Sequence, residues 1–419
     1  MKNRSFLYVI SGLALALSVS CIHLDQDNPY ENNLYQMKVQ LVFPSNLPEM
    51  GWQGREVTLS DLNTGAVYSA MTDMDGRAVF DVVNGIYRIN SFIEEEDCIL
   101  QAMEDRVIVA SADKEIRLKV EEVKTGNLVI KEIYVGGCTR KPVSTDDYQF
   151  DKHIILHNNS DKTIYLDSLC VGTMNPYNST AHNPWLEPDG DGHFIYPDFI
   201  PVMQAVWKIG GDGKTFPLAP GEDAVVVICG AIDHASLYPE SVNLNRKDYF
   251  VCYNHKFFEN TKYHPVPGDQ IQPDHILDLV IKTSRGNAFA VSVNSPTILI
   301  YRSKGISIEE FVSHSDNILP IPPPSSAEDR VVGIPPEWII DGVEVFNGSS
   351  SKNMKRLIPA IDAGSVVQTA PFKGRALKRK VNKEKSGRWG FEVLYDTNNS
   401  SKDFYEDEHP SLWKKKEVK

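Results

Sequence analysis

Apolar and polar residues alternate with a period of two along much of this chain, which predicts β-strands rather than helices. The pattern is clear in Met37-Lys38-Val39-Gln40-Leu41-Val42 and in Glu56-Val57-Thr58-Leu59. Asn63-Thr64-Gly65 and Asp75-Gly76 supply turns between such runs. Roughly seven strands fit residues 34–123, enough for a small β-sandwich. A second β-rich region, 124–419, opens with the strand Asn127-Leu128-Val129-Ile130-Lys131-Glu132-Ile133-Tyr134. His153-Ile154-Ile155-Leu156-His157-Asn158 then runs into a turn, and Pro217-Leu218-Ala219-Pro220-Gly221-Glu222 leads into Ala224-Val225-Val226-Val227-Ile228. Residues 177–207 are aromatic and Pro-rich, with Trp185, Tyr196, Phe199 and Trp207; a loop this long is either functional or packed as a lid. Pro320 and the IPPPSS run at 321–326 predict a stiff linker or an excursion from the sheet. Residues 338–404 return to strands.

Several runs resemble known families. Thr72-Asp73-Met74-Asp75-Gly76-Arg77-Ala78-Val79-Phe80, followed by Asn84-Gly85-Ile86-Tyr87, resembles the carboxypeptidase-regulatory-like or collagen-binding-B-type sandwich of the immunoglobulin class. In that reading Asp75-Gly76 closes a hairpin, Phe80 points into the core and Gly85 permits the next reversal. LVIKEIY at 128–134, IILHNNSD at 154–161 and LAPGE at 218–222 are similar, in that order, to the lamin-tail type of sandwich; DTNNSSKDF at 396–404 fits its last part. The expected fold is mainly β, a small N-terminal β-sandwich followed by a larger lamin-tail-like β-sandwich with long insertions. AVWKIGGDGKTFPLAPGE at 205–222, AIDH at 231–234, SVNLNRKDYFVCY at 241–253 and GRALKRK with YDTNNSSKDF between 374 and 404 resemble an uncharacterised Bacteroidetes lipoprotein family, catalogued as a domain of unknown function. The resemblance covers most of the mature chain and implies this two-part layout but no known activity. Surface lipoproteins of such organisms often serve as accessory subunits of TonB-dependent outer-membrane transporters.

The N-terminus adds an address. Lys2 and Arg4 precede an apolar stretch at 6–17, which is shorter than the about 20 residues a spanning helix needs. Ser18, Val19 and Ser20 come just before Cys21, the layout of a secretory signal. The triplet resembles a lipobox, although Ser18 stands where Leu is usual. The expectation is a signal peptide over 1–20, diacylglycerol on Cys21 and a polar tether over 21–33. Asp25 and Asp27 resemble the surface-export signal of Bacteroidetes lipoproteins and favour the outer face of the outer membrane over the periplasmic face. Formal net charge is -13, which disfavours nucleic acid as a partner, since phosphate binding needs clustered Lys and Arg. A membrane through Cys21 and an outer-membrane β-barrel protein are the expected partners. Six Cys are present. Apart from Cys21 they have no CxxC spacing, so buried free thiols are expected, with one or two disulfides allowed by export.

Catalytic motifs are missing: no GxSxG, P-loop, HExxH or GxGxxG before a helix occurs. Three constellations carry some chemistry. Asp189, Asp191 and His193, set among glycines, are expected as a plain polar loop, with a structural cation held by the carboxylates as the alternative; no cofactor is otherwise expected. His153 and His157 would lie about 13 Å apart on a straight strand, too far to share a metal unless a bulge intervenes; they are expected as polar positions on a half-exposed strand. Asp233-His234 is expected as a buried polar pair, with ligand contact or catalysis by a general base as alternatives, and Asp248-Tyr249-Phe250 could pack nearby. Asp396-Thr397-Asn398-Asn399-Ser400 is expected as a side-chain-capped turn. Trp185, Tyr196, Phe199 and Trp207 could present rigid area to a partner, a glycan or an iron or haem compound, or else fill a mini-core under their loop. The favoured function is a non-enzymatic accessory or docking subunit, with ligand capture by the aromatic loop and a hydrolase using Asp233-His234 as alternatives.

Overall fold

A computed structural model describes residues 34–43, 52–94, 99–122, 126–188, 194–323, 328–348 and 351–414. The signal, Cys21 and the tether lie outside the described residues, as do Cys98, Asp189, Asp191 and His193. The chain is mainly β, with three short α-helices among the described residues, at Ile308–Ser313, Lys383–Trp389 and Ser400–Asp403. Among the described residues no helix is long and apolar enough to cross a membrane.

The N-terminal module holds two sheets. In one, Tyr35–Val42 lies antiparallel to Arg77–Val82 and parallel to Lys114–Lys119. The other runs Val67–Met71, Glu56–Asp61, Gly85–Glu94, Ile99–Val109 and Glu121–Glu122. Alternation places Met37, Val39, Leu41, Ala78, Phe80 and Val82 between the sheets, as the period of two predicts. Gly76 does turn the chain, at φ +76°. It is not a hairpin turn, however: the strands on either side belong to opposite sheets, so the chain crosses the sandwich there. The next crossing is pinned by Tyr87, fully buried, whose hydroxyl donates to the Val83 carbonyl at 2.9 Å.

The body is built on two larger sheets. A six-stranded sheet runs Phe250–Val251, Asp223–Val227, His153–Asn158, Leu128–Tyr134, Ala376–Arg379 and Phe404–Asp407. An eight-stranded sheet has Ile200–Lys208, Cys170–Met174, Thr297–Tyr301 and Ile339–Asn347 at its centre. The main core lies between them and includes Ile130, Ile154, Val226, Trp207, Ile300 and Val345. Each sheet is also covered on its far face. Val202, Leu299 and Ile334 pack there with Ile308 and Trp338; Ile155, Val225 and Val227 pack with Val242, Leu244, Leu412 and Trp413. Central strands are therefore buried on both faces, and every residue of His153–Asn158 and of Thr297–Tyr301 is buried. Ile318–Pro320 pairs with Arg330–Ile334, so the strands that flank the Pro-rich run belong to one sheet, while part of the run itself lies outside the described residues.

The two modules touch at Gln101, Arg88 and Phe92, among other positions. Gln101 Nε2 donates to the Pro359 carbonyl at 3.2 Å, and the Arg88 guanidinium lies 5.4 Å from the Phe346 ring centre.

Candidate functional site

The turn that follows the strand Asp223–Val227 places Asp233 and His234. Gly230 sits at φ +74°, and a Cβ there would fall 1.8 Å from the Phe150 carbonyl oxygen, so only glycine fits. That close turn brings its own carbonyl oxygen within 2.5 Å of His234 Nε2, while Tyr148 Oη lies 2.5 Å from Nδ1. A carbonyl can only accept, so Nε2–H donates to Gly230 and Nδ1 accepts from Tyr148. Burial holds the His234 pKa below its usual value. Asp233 turns the other way: its Oδ1 caps the short helix His234–Ser236 by accepting from Ser236 N at 3.2 Å. The two are therefore not a pair. The imidazole is buried and structural, and neither ring nitrogen is free to take a proton from a substrate.

A cleft of about 510 Å³ opens on the Asp233 side, lined among others by Asn243, Arg246, Tyr249, Ser411 and Leu412. Of residues 248–250, Tyr249 lines the same cleft as Asp233, while Phe250 lies in the main core. The far wall is the C-terminal segment. It is held by Ser411, whose backbone N and Oγ donate to the fully buried Glu132, and by Trp413 Nε1 donating to the Pro239 carbonyl at 3.0 Å. Arg246 is exposed and Tyr249 half-buried, so the cleft offers a cation, a carboxylate, an amide and an aromatic ring.

The aromatic stretch is mostly turned inward. Trp207 has no exposed surface and packs against Phe258 and Phe289 in the main core. Trp185 is buried, donates Nε1 to Asn175 Oδ1 at 2.7 Å and meets Phe199 edge-on at 5.4 Å. Both indoles thus fill the interior and present no surface to a partner. Tyr196 is half-buried; burial and the Asp105 and Glu344 carboxylates push its hydroxyl pKa well above the usual value. Phe199 alone of the four reaches an open hollow, together with Phe311 and Leu319.

His153 and His157 are wholly buried, not half-exposed, because the sheet is covered on both faces. His157 bridges Asp223 Oδ1 at 2.6 Å and the Glu392 carbonyl at 2.9 Å. His153 Nε2 lies 3.5 Å from Glu132 Oε1. Among the described residues no group of three or more His, Cys, Asp or Glu could hold a metal ion. Cys138, Cys170, Cys229 and Cys252 are buried free thiols, and burial pushes Cys229 up to about 11 and Cys170 up to about 12. The 396–400 segment is more than a capped turn. Asp396 accepts from Gly126 N at 2.6 Å and from Arg379 Nη1 at 3.0 Å, and Arg379 also meets Asp341 and Asp403. One guanidinium faces three buried carboxylates, and burial pushes Asp341 up to about 7 and Asp403 up to about 6.

Residues 219–411 match the family model described as protein of unknown function (DUF4876). A solved DUF4876 family protein from Bacteroides thetaiotaomicron is 22% identical, with 88% of this chain and 94% of that chain covered at a TM-score of 0.55. Two further solved structures overlay only in part. A DUF3823 family protein from Parabacteroides merdae is 10% identical over 43% of this chain and 83% of its own, at a TM-score of 0.16. The minor pilin of Streptococcus agalactiae is 12% identical over 43% and 84%, at 0.15. No curated protein matches the chain. Residues 219–411 are thus similar to the DUF4876 family, and the chain shares its fold with the DUF4876 protein of Bacteroides thetaiotaomicron.

Proposed function

We propose that this chain is a non-enzymatic surface lipoprotein, anchored through Cys21, that serves as an accessory or docking subunit of a TonB-dependent outer-membrane transporter. One observation carries the reading. The cleft of about 510 Å³ is lined by groups suited to recognition, Arg246, Tyr249, Asn243 and Asp233, while the neighbouring imidazole of His234 is closed off behind it. An exposed arginine and a half-buried tyrosine are the residue types that anchor protein contacts. The signal-like N-terminus and the acidic residues after Cys21 support a position at the membrane surface.

The test is a photo-crosslinking amino acid in place of Arg246, introduced into the full chain in its own cells. Docking at the cleft requires a light-dependent adduct with a β-barrel protein, absent when the probe replaces exposed Lys247. Adducts of equal yield at both positions, or none at either, would sink the reading. The hydrolase alternative makes a separate claim: a His234→Ala chain that stays folded would have to lose a hydrolytic activity.

A further inference from the structure

We propose that the hollow beside Phe199 binds an organic cation, an alkylammonium or guanidinium group. The hollow is distinct from the docking cleft, so either assignment can fail without the other. It encloses about 360 Å³, at the small end of ligand pockets, which suits a head group or a single side chain. Phe199 and Phe311, both half-buried, face it. Each ring is braced by a buried indole: Trp185 meets Phe199 at 5.4 Å and Trp338 meets Phe311 at 4.6 Å. A bare strand position makes the room. A Cβ on Gly333 would come within 3.4 Å of Phe199 Cγ and 3.0 Å of Leu319 Cδ1.

The rim fixes the sign of the ligand's charge. Asp198, Asp316 and Glu337 are exposed carboxylates around the opening, and no Lys or Arg lines it. Lys304 comes near but donates its ammonium to the Glu337 backbone carbonyl. The amide of Asn317 is likewise committed, to the Phe311 carbonyl at 2.8 Å. An anion would be repelled here, and a neutral sugar could donate hydroxyls to the carboxylates but would draw nothing from their charge. A bare metal ion seeks converging oxygens and gains little from aromatic rings. A cation with carbon next to its charge gains from both features: the ring faces attract it and the carboxylates balance it.

The test titrates the full chain at low salt with choline and with N-acetylarginine amide. Binding is read by tryptophan emission and by saturation transfer to the probe, with 3,3-dimethylbutanol as the neutral isostere of choline. Saturable binding of at least one cation is expected, about tenfold tighter than the isostere. Asp316→Asn and Glu337→Gln should each weaken it several-fold without lowering the melting temperature, since both side chains are exposed. Binding of choline alone assigns the site to a free small molecule; binding of the arginine probe alone assigns it to a side chain of a protein. No saturable binding of either cation, or equal binding of the isostere, overturns the proposal.

Discussion

Lys355 has essentially no access to water, and its ammonium lies 2.7 Å from Glu344 Oε2. Glu344 also accepts from Arg356 Nε at 2.9 Å and from Arg356 N at 3.0 Å. Removing one charge from such a set leaves its partners buried and uncompensated. Glu344→Gln should therefore lower stability by roughly 3–5 kcal/mol, read from the urea midpoint; a loss under about 1 kcal/mol would contradict this account of the core. His264 gives a pH signature. It is buried, its Nε2 accepts from Phe289 N at 3.0 Å, and burial holds its pKa down to about 4. The unfolded imidazole binds its proton near pH 6.5, the folded one only near 4, so stability falls as pH drops through that window. The expected loss is on the order of 3 kcal/mol, and a His264→Gln chain should show a shallower acid slope between pH 7 and 4.5. An unchanged slope would exclude His264 as its source. None of this was legible in the sequence. Lys355, Arg356 and His157 carry residue types that normally meet water, and their burial follows from packing between distant strands. The Trp207 indole, by contrast, was open to an inward reading as filler of a mini-core, but the sequence does not say that Phe258 and Phe289 come to meet it in the main core.

Elements were easiest to read where one face meets water. The small module keeps strict alternation, as in Arg77–Val82, and its strands follow from the period of two. In the body the second face is covered too, so Asp223–Val227 and His153–Asn158 lose the alternation that would have told core from surface. Turn chemistry was legible at Gly76, but which sheet the next strand joins depends on packing and not on the turn. Gly230 shows how tightly one element end can be specified. Its φ of +74° and the Phe150 carbonyl leave no room for a methyl group. Gly230→Ala should cost about 3 kcal/mol or more and disturb the His234 contacts, visible as a lowered melting temperature and a changed His234 ring resonance. A fully stable Gly230→Ala protein would mean that the turn is looser than described.

At the scale of the whole molecule, the N-terminal module has its own core, from Met37 to Val120, and meets the body at Gln101, Arg106 and Phe92 among other positions. A module with a core of its own can fold alone. Residues 34–122 made alone should show a sigmoidal urea transition of their own; a chain without one would assign the module's stability to the body. Among its openings the body presents the cleft at Arg246 and Tyr249 and, apart from it, the cation hollow at Phe199. The measurement that bears most directly on the proposed role is the size of the complex carried by the full chain after mild detergent extraction of its own outer membrane. Docking predicts a stoichiometric assembly with a β-barrel protein that persists through size-exclusion chromatography and is lost when Arg246→Glu and Tyr249→Ala are combined in a chain that still folds. A chain that elutes alone, at the size of its own monomer, with and without those substitutions, would contradict it.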